Sequence, residues 1–398
     1  YLESIKKATP KQYAAVRKYI EAGNQKLLKF RNADGSFNLF RSQNKTNYEP
    51  NIWLTAYIAK LLAYAKDFYP LNTNVITDAL EFMKSTQLPD GSFPHQRTHF
   101  EHSLRSTTSV ALTAFIAISF IHNKQHSSQF QDVIDRAFNN IDSKLNQLKD
   151  NYDIALSAYA LALVEPAHPS RDDFIRELQK NAIIQDGKMF WYREVKVLTS
   201  KDSASVNVEI ASYALMAFVK SGLAREALPI MRWLMSQRTS KGGFHSTTDT
   251  VVGIEALTMM AREFFAPKIG LNLELLFKNE REIMKVTRKN ALDLQFIELD
   301  PSVRRVQCNV NGSGLAFVQV AYRYNSKLVD FESGFDLKVT VEPSTENLLS
   351  LNICASYIPD GETTKIGMTL IEIFLPSGYI YDTETSDLVL NAGVRVSE

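Results

Sequence analysis

The sequence predicts a mainly α protein: an α/α toroid followed by all-β sandwich modules. Three observations carry this reading. A small-aromatic-apolar segment recurs five times in the first 265 residues, tight Asp-Gly or Gly-Gly turns separate the copies, and the hydrophobic period changes from helical to strand-like after Ala266-Pro267.

The five copies are Trp53-Leu-Thr-Ala-Tyr57, Ala111-Leu-Thr-Ala-Phe115, Ala155-Leu-Ser-Ala-Tyr159, Glu209-Ile-Ala-Ser-Tyr213 and Gly253-Ile-Glu-Ala-Leu257. Each continues on a helical period, as in Tyr57, Leu61, Leu62, Tyr64 and Ala65. Small residues at matched positions let helices approach closely, and segments apolar nearly all round belong in an interior. Tyr57, Phe115, Tyr159 and Tyr213 are therefore expected to be buried on inner helices. More amphipathic stretches, Val75 to Thr86 and Arg171 to Lys180, are expected outside them. The turns are Asp34-Gly-Ser-Phe37, Asp90-Gly-Ser-Phe93, Asp186-Gly187 and Lys241-Gly-Gly-Phe244. Asp-Gly suits a tight turn because glycine accepts positive φ and Asp bonds its own backbone. A helix pair repeating every roughly 45 to 58 residues is an array, and alternating inner and outer helices close best as a toroid. The fold by itself names no function, since such toroids also host glycosidases and terpene cyclases.

Beyond Pro267, strand patterns are expected at 271–276, 283–286, 292–299, 305–310, 315–324, 336–341, 349–355, 368–374 and 388–390. Pro359-Asp-Gly361 and Pro376-Ser-Gly378 punctuate them. This is sandwich spacing.

Composition narrows the function classes. Lys and Arg number 45 against 44 Asp and Glu, a net +1, which points to neither a nucleic-acid nor a membrane surface. The longest apolar run, Val110 to Ile121, is too short to span a bilayer and reads as a buried helix. The chain opens on Tyr1-Leu2-Glu3 without an initiator Met or signal peptide, and reads as an excerpt of a longer protein. Both cysteines, Cys308 and Cys354, lie in the last quarter, and two N-x-S/T sequons, at Asn44 and Asn311, fit a secreted glycoprotein.

Several stretches, in order along the whole chain, resemble the insect thioester-containing proteins of the α2-macroglobulin and complement family. They include Trp53-Leu-Thr-Ala-Tyr57, Tyr152-Asp-Ile-Ala-Leu-Ser-Ala-Tyr-Ala-Leu161, Trp233-Leu-Met-Ser-Gln237, Ser246-Thr-Thr-Asp-Thr250, Phe335-Asp-Leu-Lys-Val-Thr340 and Cys354-Ala-Ser-Tyr-Ile-Pro359. The resemblance implies a thioester-like domain over 1–267, the second half of a CUB-like domain over 268–326, and a truncated final macroglobulin, receptor-binding sandwich over 327–398. It implies a secreted protein of haemolymph or plasma. Such a protein is cleaved and then binds or covalently tags microbial surfaces. Its partners would be microbial or cell surfaces, the parent's other domains and chains, and recognition or regulatory proteins. No cofactor, nucleic acid or membrane insertion is implied, and no enzymatic turnover beyond a single acylation. Two other readings belong to the same family: a member without a working thioester that acts by binding or adhesion, and a macroglobulin-type protease inhibitor.

The chemistry implied is that of an internal thioester, a carbonyl electrophile with a good leaving group. No Cys precedes Cys308, so the chain itself holds no thioester. In relatives a histidine in the loop before the inner helix attacks the thioester, and the released thiolate then acts as base. Here that loop is Phe93-Pro-His95-Gln-Arg-Thr-His99-Phe-Glu-His102-Ser-Leu-Arg105. His102 is the candidate, with His99 next and His95 third. The loop lacks the family's Met-Gln-Gly-Gly-like stretch, so solvated loop histidines are the competing reading. Zinc on these histidines is disfavoured because Pro94 opposes a helix there and no cysteine accompanies them. Asp153, Glu209 and Asp249 are read as helix-start carboxylates that cap or pair with the dipole, while Glu209 and Trp191 are also candidates for the pocket wall. By resemblance Cys354 bridges a cysteine in later strands; Cys308 has no clear counterpart, and pairing of the two stays open.

Overall fold

The computed structural model describes residues 8–38, 50–94, 109–123, 128–164, 166–193, 200–239, 242–264, 269–291, 293–314, 335–345 and 348–358, together with a few isolated positions between 316 and 379. The chain divides into two compact units, one holding the helices and the first three long strands, the other beginning at Tyr324.

Among the described residues ten α-helices build the first unit: α1 Pro10–Leu27, α2 Ile52–Ala65, α3 Thr73–Ser85, α4 Ser109–His122, α5 Gln131–Ser143, α6 Asn151–Leu163, α7 Arg171–Lys180, α8 Ser200–Lys220, α9 Leu228–Ser236 and α10 Thr247–Glu263. Their starts follow from local chemistry. Thr9 and Gln12 form a capping box with Pro10 in the first turn of α1, and Ser246 with Asp249 does the same for α10. Asn51, Asn72 and Asp150 cap α2, α3 and α6 through their side-chain oxygens.

Helices α2, α4, α6, α8 and α10 pack each against the next, and α3, α5, α7 and α9 each pack against the inner helix before them. The five repeats are thus the inner row, and the first unit is the expected helical toroid. Burial separates the layers: α4 buries Val110 through Phe120 without a break, whereas α3 buries only Val75, Ile76, Ala79, Leu80 and Met83. A pair of small residues three apart recurs in each inner helix and allows close spacing: Ala56 and Ala59, Ala114 and Ala117, Ala155 and Ala158, Ala211 and Ala214, Gly253 and Ala256. At Gly253 a Cβ would meet the Phe244 ring at 2.4 Å, so no larger residue fits. Phe115, Tyr159 and Tyr213 are buried as expected. Tyr57 is only half-buried, because its ring faces a cavity rather than a neighbouring helix.

Three turns share one hydrogen-bond pattern. Asn32, Leu88 and Thr239 donate to the carbonyls of Ser36, Ser92 and Gly243, four residues on. Each turn then passes the next backbone N–H to a threonine of the following inner helix. Phe37 N donates to Thr55 Oγ1 (3.0 Å), Phe93 N to Thr113 Oγ1 (3.2 Å) and Phe244 N to Thr250 Oγ1 (2.9 Å). At Gly91, φ is +82° and a Cβ would strike the Arg136 carbonyl at 2.1 Å, so the turn lies directly on α5. Asp186-Gly187 differs: both residues have positive φ and join a short hairpin, β1 Ile183–Gln185 with β2 Lys188–Phe190.

After α10 the strands are antiparallel. β3 Gly270–Phe277 lies between β4 Glu280–Thr287 and β5 Val306–Ser313, with Leu273 opposite both Met284 and Val310. In the second unit β6 Phe335–Val341 pairs with β7 Leu351–Tyr357. Residues 293–299 do not form the expected strand. Leu294 and Phe296 are largely exposed, so the alternating apolar residues of this segment find no core face to pack on. The described positions between 316 and 322 carry no strand either, and 368–374 and 388–390 lie, but for Ile373, outside the described residues. Among the described residues no helix is long and apolar enough to cross a membrane.

Candidate functional site

Inner helices joined through outer ones all start at the same end of the ring. Their facing residues line an open-mouthed cavity of about 230 Å³ built from α2, α4, α6, α8 and α10. Its wall is aromatic. Trp53 stacks on Tyr57 (centroids 5.3 Å apart) and on Phe115 (5.5 Å), while Tyr152 meets Tyr213 edge-on at 6.3 Å. Such ring pairs contribute about 0.5–1.5 kcal/mol each beyond their buried area.

Few charges enter this space, and each is held by a polar neighbour. Lys60 Nζ lies 2.7 Å from Glu255 Oε2, and the Tyr64 hydroxyl donates to Glu255 Oε1 at 2.7 Å while standing 3.3 Å from His122 Nε2. This cluster links α10 to α2 and closes the ring. Burial acts to raise the Glu255 pKa, but the Lys60 ammonium and the two hydrogen bonds outweigh it and hold the carboxyl below its ordinary value. Glu209 Oε2 accepts from the Tyr152 hydroxyl at 3.1 Å. Arg193 holds Tyr152 from the far side: its Nε donates to Asp150 Oδ2 at 2.7 Å and its guanidinium lies 5.1 Å from the Tyr152 ring centroid. The negative potential is felt by Tyr57, whose phenol is pushed up first by burial and then by Glu209 and Glu255.

Glu209 lines the cavity, but from the middle of α8 and not from its start, because the helix begins nine residues earlier at Ser200. Trp191 does not line it; it is fully buried and donates to the Leu178 carbonyl at 2.9 Å. Asp249 is a capping residue, buried and accepting from Ser246 N (2.8 Å) and Ser205 Oγ (2.5 Å). Asp153 is buried in the first turn of α6. His95, His99, His102 and Asn44 lie outside the described residues. Asn311 is exposed on β5; Cys308 and Cys354 are exposed thiols, not joined to each other. No cluster of metal-ligating side chains occurs among the described residues. Sequence reasoning missed Lys60, Tyr64 and Glu255. Their signal was a lone charge inside an apolar repeat, Lys60 within Ile58-Ala-Lys-Leu-Leu62 and Glu255 within Gly253-Ile-Glu-Ala256.

A closed ring of alternating helices around an aromatic cavity, continued by small antiparallel sheets, defines a helical toroid with no assembled catalytic triad or metal centre among its described residues. The comparisons give this class its family. The model of the A-macroglobulin TED domain of complement matches residues 1–260, and the chain belongs to that family. It is 27% identical to thioester-containing protein 1 allele R1 of Anopheles gambiae over 369 residues, 91% of this chain and 26% of that protein. It is 28% identical to ovostatin of Gallus gallus over 402 residues, 96% of this chain and again 26% of that protein. The chain thus spans about a quarter of the length of the curated relatives it matches.

Proposed function

We propose that the chain is the thioester-domain portion, with the modules that follow it, of an extracellular complement-like protein that binds or covalently tags microbial surfaces once proteolysis has opened it. The observation that carries this reading is the aromatic cavity inside a toroid of the TED family. A thioester survives in water only where water is kept out, and a wall of Trp53, Tyr57, Phe115, Tyr152 and Tyr213 supplies that exclusion. The thioester itself would come from another part of a longer protein, since no Cys precedes Cys308. In this reading residues 1–267 form the thioester-like domain, 268–326 the second half of a CUB-like module and 327–398 the receptor-binding sandwich. His102, or else His99, would take the acyl group before a surface hydroxyl receives it.

The test uses the full-length protein mixed with microbes before and after limited proteolysis. The expected result is surface-bound protein that resists boiling in detergent, is released by hydroxylamine and fails to form after methylamine treatment. Binding that detergent removes entirely would replace this reading by the non-covalent one, and absence of binding would remove both.

A further inference from the structure

We propose that Asn311 carries an N-linked glycan on the polar face of the sheet formed by β4, β3 and β5. Asn311-Gly312-Ser313 is a sequon in a strand that, among the described residues, pairs on one side only, with β3. Paired residues across antiparallel strands share a face, and side chains alternate along each strand. Asn311 is opposite Asn272, which is exposed, whereas its neighbours Leu271 and Leu273 are buried. Asn311 therefore projects from the polar face, where Asn309 Nδ2 donates to Glu274 Oε2 at 3.0 Å and Arg281 pairs with Glu274 at 2.5 Å. A bulky sugar on that face displaces no apolar packing.

The three sequon positions have different reasons to be what they are. Gly312 is dictated by the fold: its φ is +121° and a Cβ would sit 2.0 Å from the Gly270 carbonyl oxygen. Asn311 and Ser313 are exposed and make no side-chain hydrogen bond among the described residues, and Asn is a poor strand former. Packing and propensity thus leave both residues unexplained, and glycosylation explains both.

The inference rests on the extracellular reading above. The experiment expresses the full-length protein in cultured eukaryotic cells and maps the Asn311 peptide from the secreted material by mass spectrometry. The peptide is read before and after amidase release of glycans, in heavy-oxygen water, from the undenatured protein. The expected result is conversion of Asn311 to labelled Asp in most molecules, abolished by both Asn311→Gln and Ser313→Ala. Secreted protein with Asn311 unmodified overturns the inference alone; protein retained inside the cell overturns it together with the extracellular reading.

Discussion

Lys60 and Glu255 are buried charges, their side chains 4% and 18% exposed, and their energetics are those of a pair rather than of two residues. Removing one partner, as in Lys60→Met or Glu255→Gln, leaves the other buried without its counter-ion and should cost about 3–5 kcal/mol. Replacing both by apolar residues should cost much less, because both desolvation penalties vanish together; chemical denaturation of the three variants measures this. The folded Glu255 has a lowered pKa, so its contribution is complete above the unfolded value near 4.5 and is lost as pH falls through the folded one. Stability followed from pH 6 down to pH 2 should therefore fall less steeply in the double variant. Tyr159 is the opposite case. Its hydroxyl is buried and finds no hydrogen-bond partner among the described residues. Tyr159→Phe should raise stability by about 1 kcal/mol, seen as a higher melting temperature, since an unsatisfied polar atom is removed at little change in volume. Tyr159 was legible as core from its repeat position. Tyr57 was not legible as a cavity residue, because periodicity reports which face points inward and is silent on whether that space is filled.

The threonines of the inner helices explain why the turns and helices repeat together. Thr113 Oγ1 donates to the Ser109 carbonyl at 2.6 Å and accepts the Phe93 N–H, so one hydroxyl ties the turn to the first turn of α4. Thr113→Val keeps the shape and orphans a buried N–H, which should cost about 1–3 kcal/mol, while Thr113→Ser should restore most of it. Calorimetry of the pair separates the hydrogen bond from the packing. Outer helices were legible within a residue or two: the amphipathic stretches at Val75 and Arg171 became α3 and α7. The start of α8 was not, because Ser200 to Asn207 is polar and resembles a loop, and this misplaced Glu209 at a helix end. The segment at 293–299 misled in the other direction, since alternation alone does not supply a core face to pack on.

At the scale of the molecule, toroid and strands could be read from the change of period, but the cavity could not. It is lined by side chains from five repeats, and no single repeat announces it. The proposed acyl transfer gives a sharper expectation. If the parent protein holds a thioester, the His102 imidazole attacks its carbonyl and the thiolate leaves. A hydroxyl then takes the acyl group, losing its proton to the thiolate. His102→Ala in the full-length protein should therefore shift labelling from glycerol toward amines by an order of magnitude or more, the typical weight of a positioned general catalyst being 10²–10⁴-fold. Unchanged hydroxyl preference would remove His102 from the step and turn the same test to His99.

The contact between Lys60 and Glu255 also joins residues 195 positions apart, and this has a meaning in time as well as in space. During synthesis α2 leaves the ribosome long before α10 exists. Until Glu255 emerges, Lys60 has no counter-charge at that contact, and the rings of Trp53 and Tyr57 face an unfinished wall. Early helix pairs can assemble as they appear, since each packs on its neighbour, but the last seam waits for a long loop to close. While the residues between α2 and α10 are made, the nascent toroid is an open arc with a sticky inner surface, the stage at which chaperone capture or wrong pairing competes with closure.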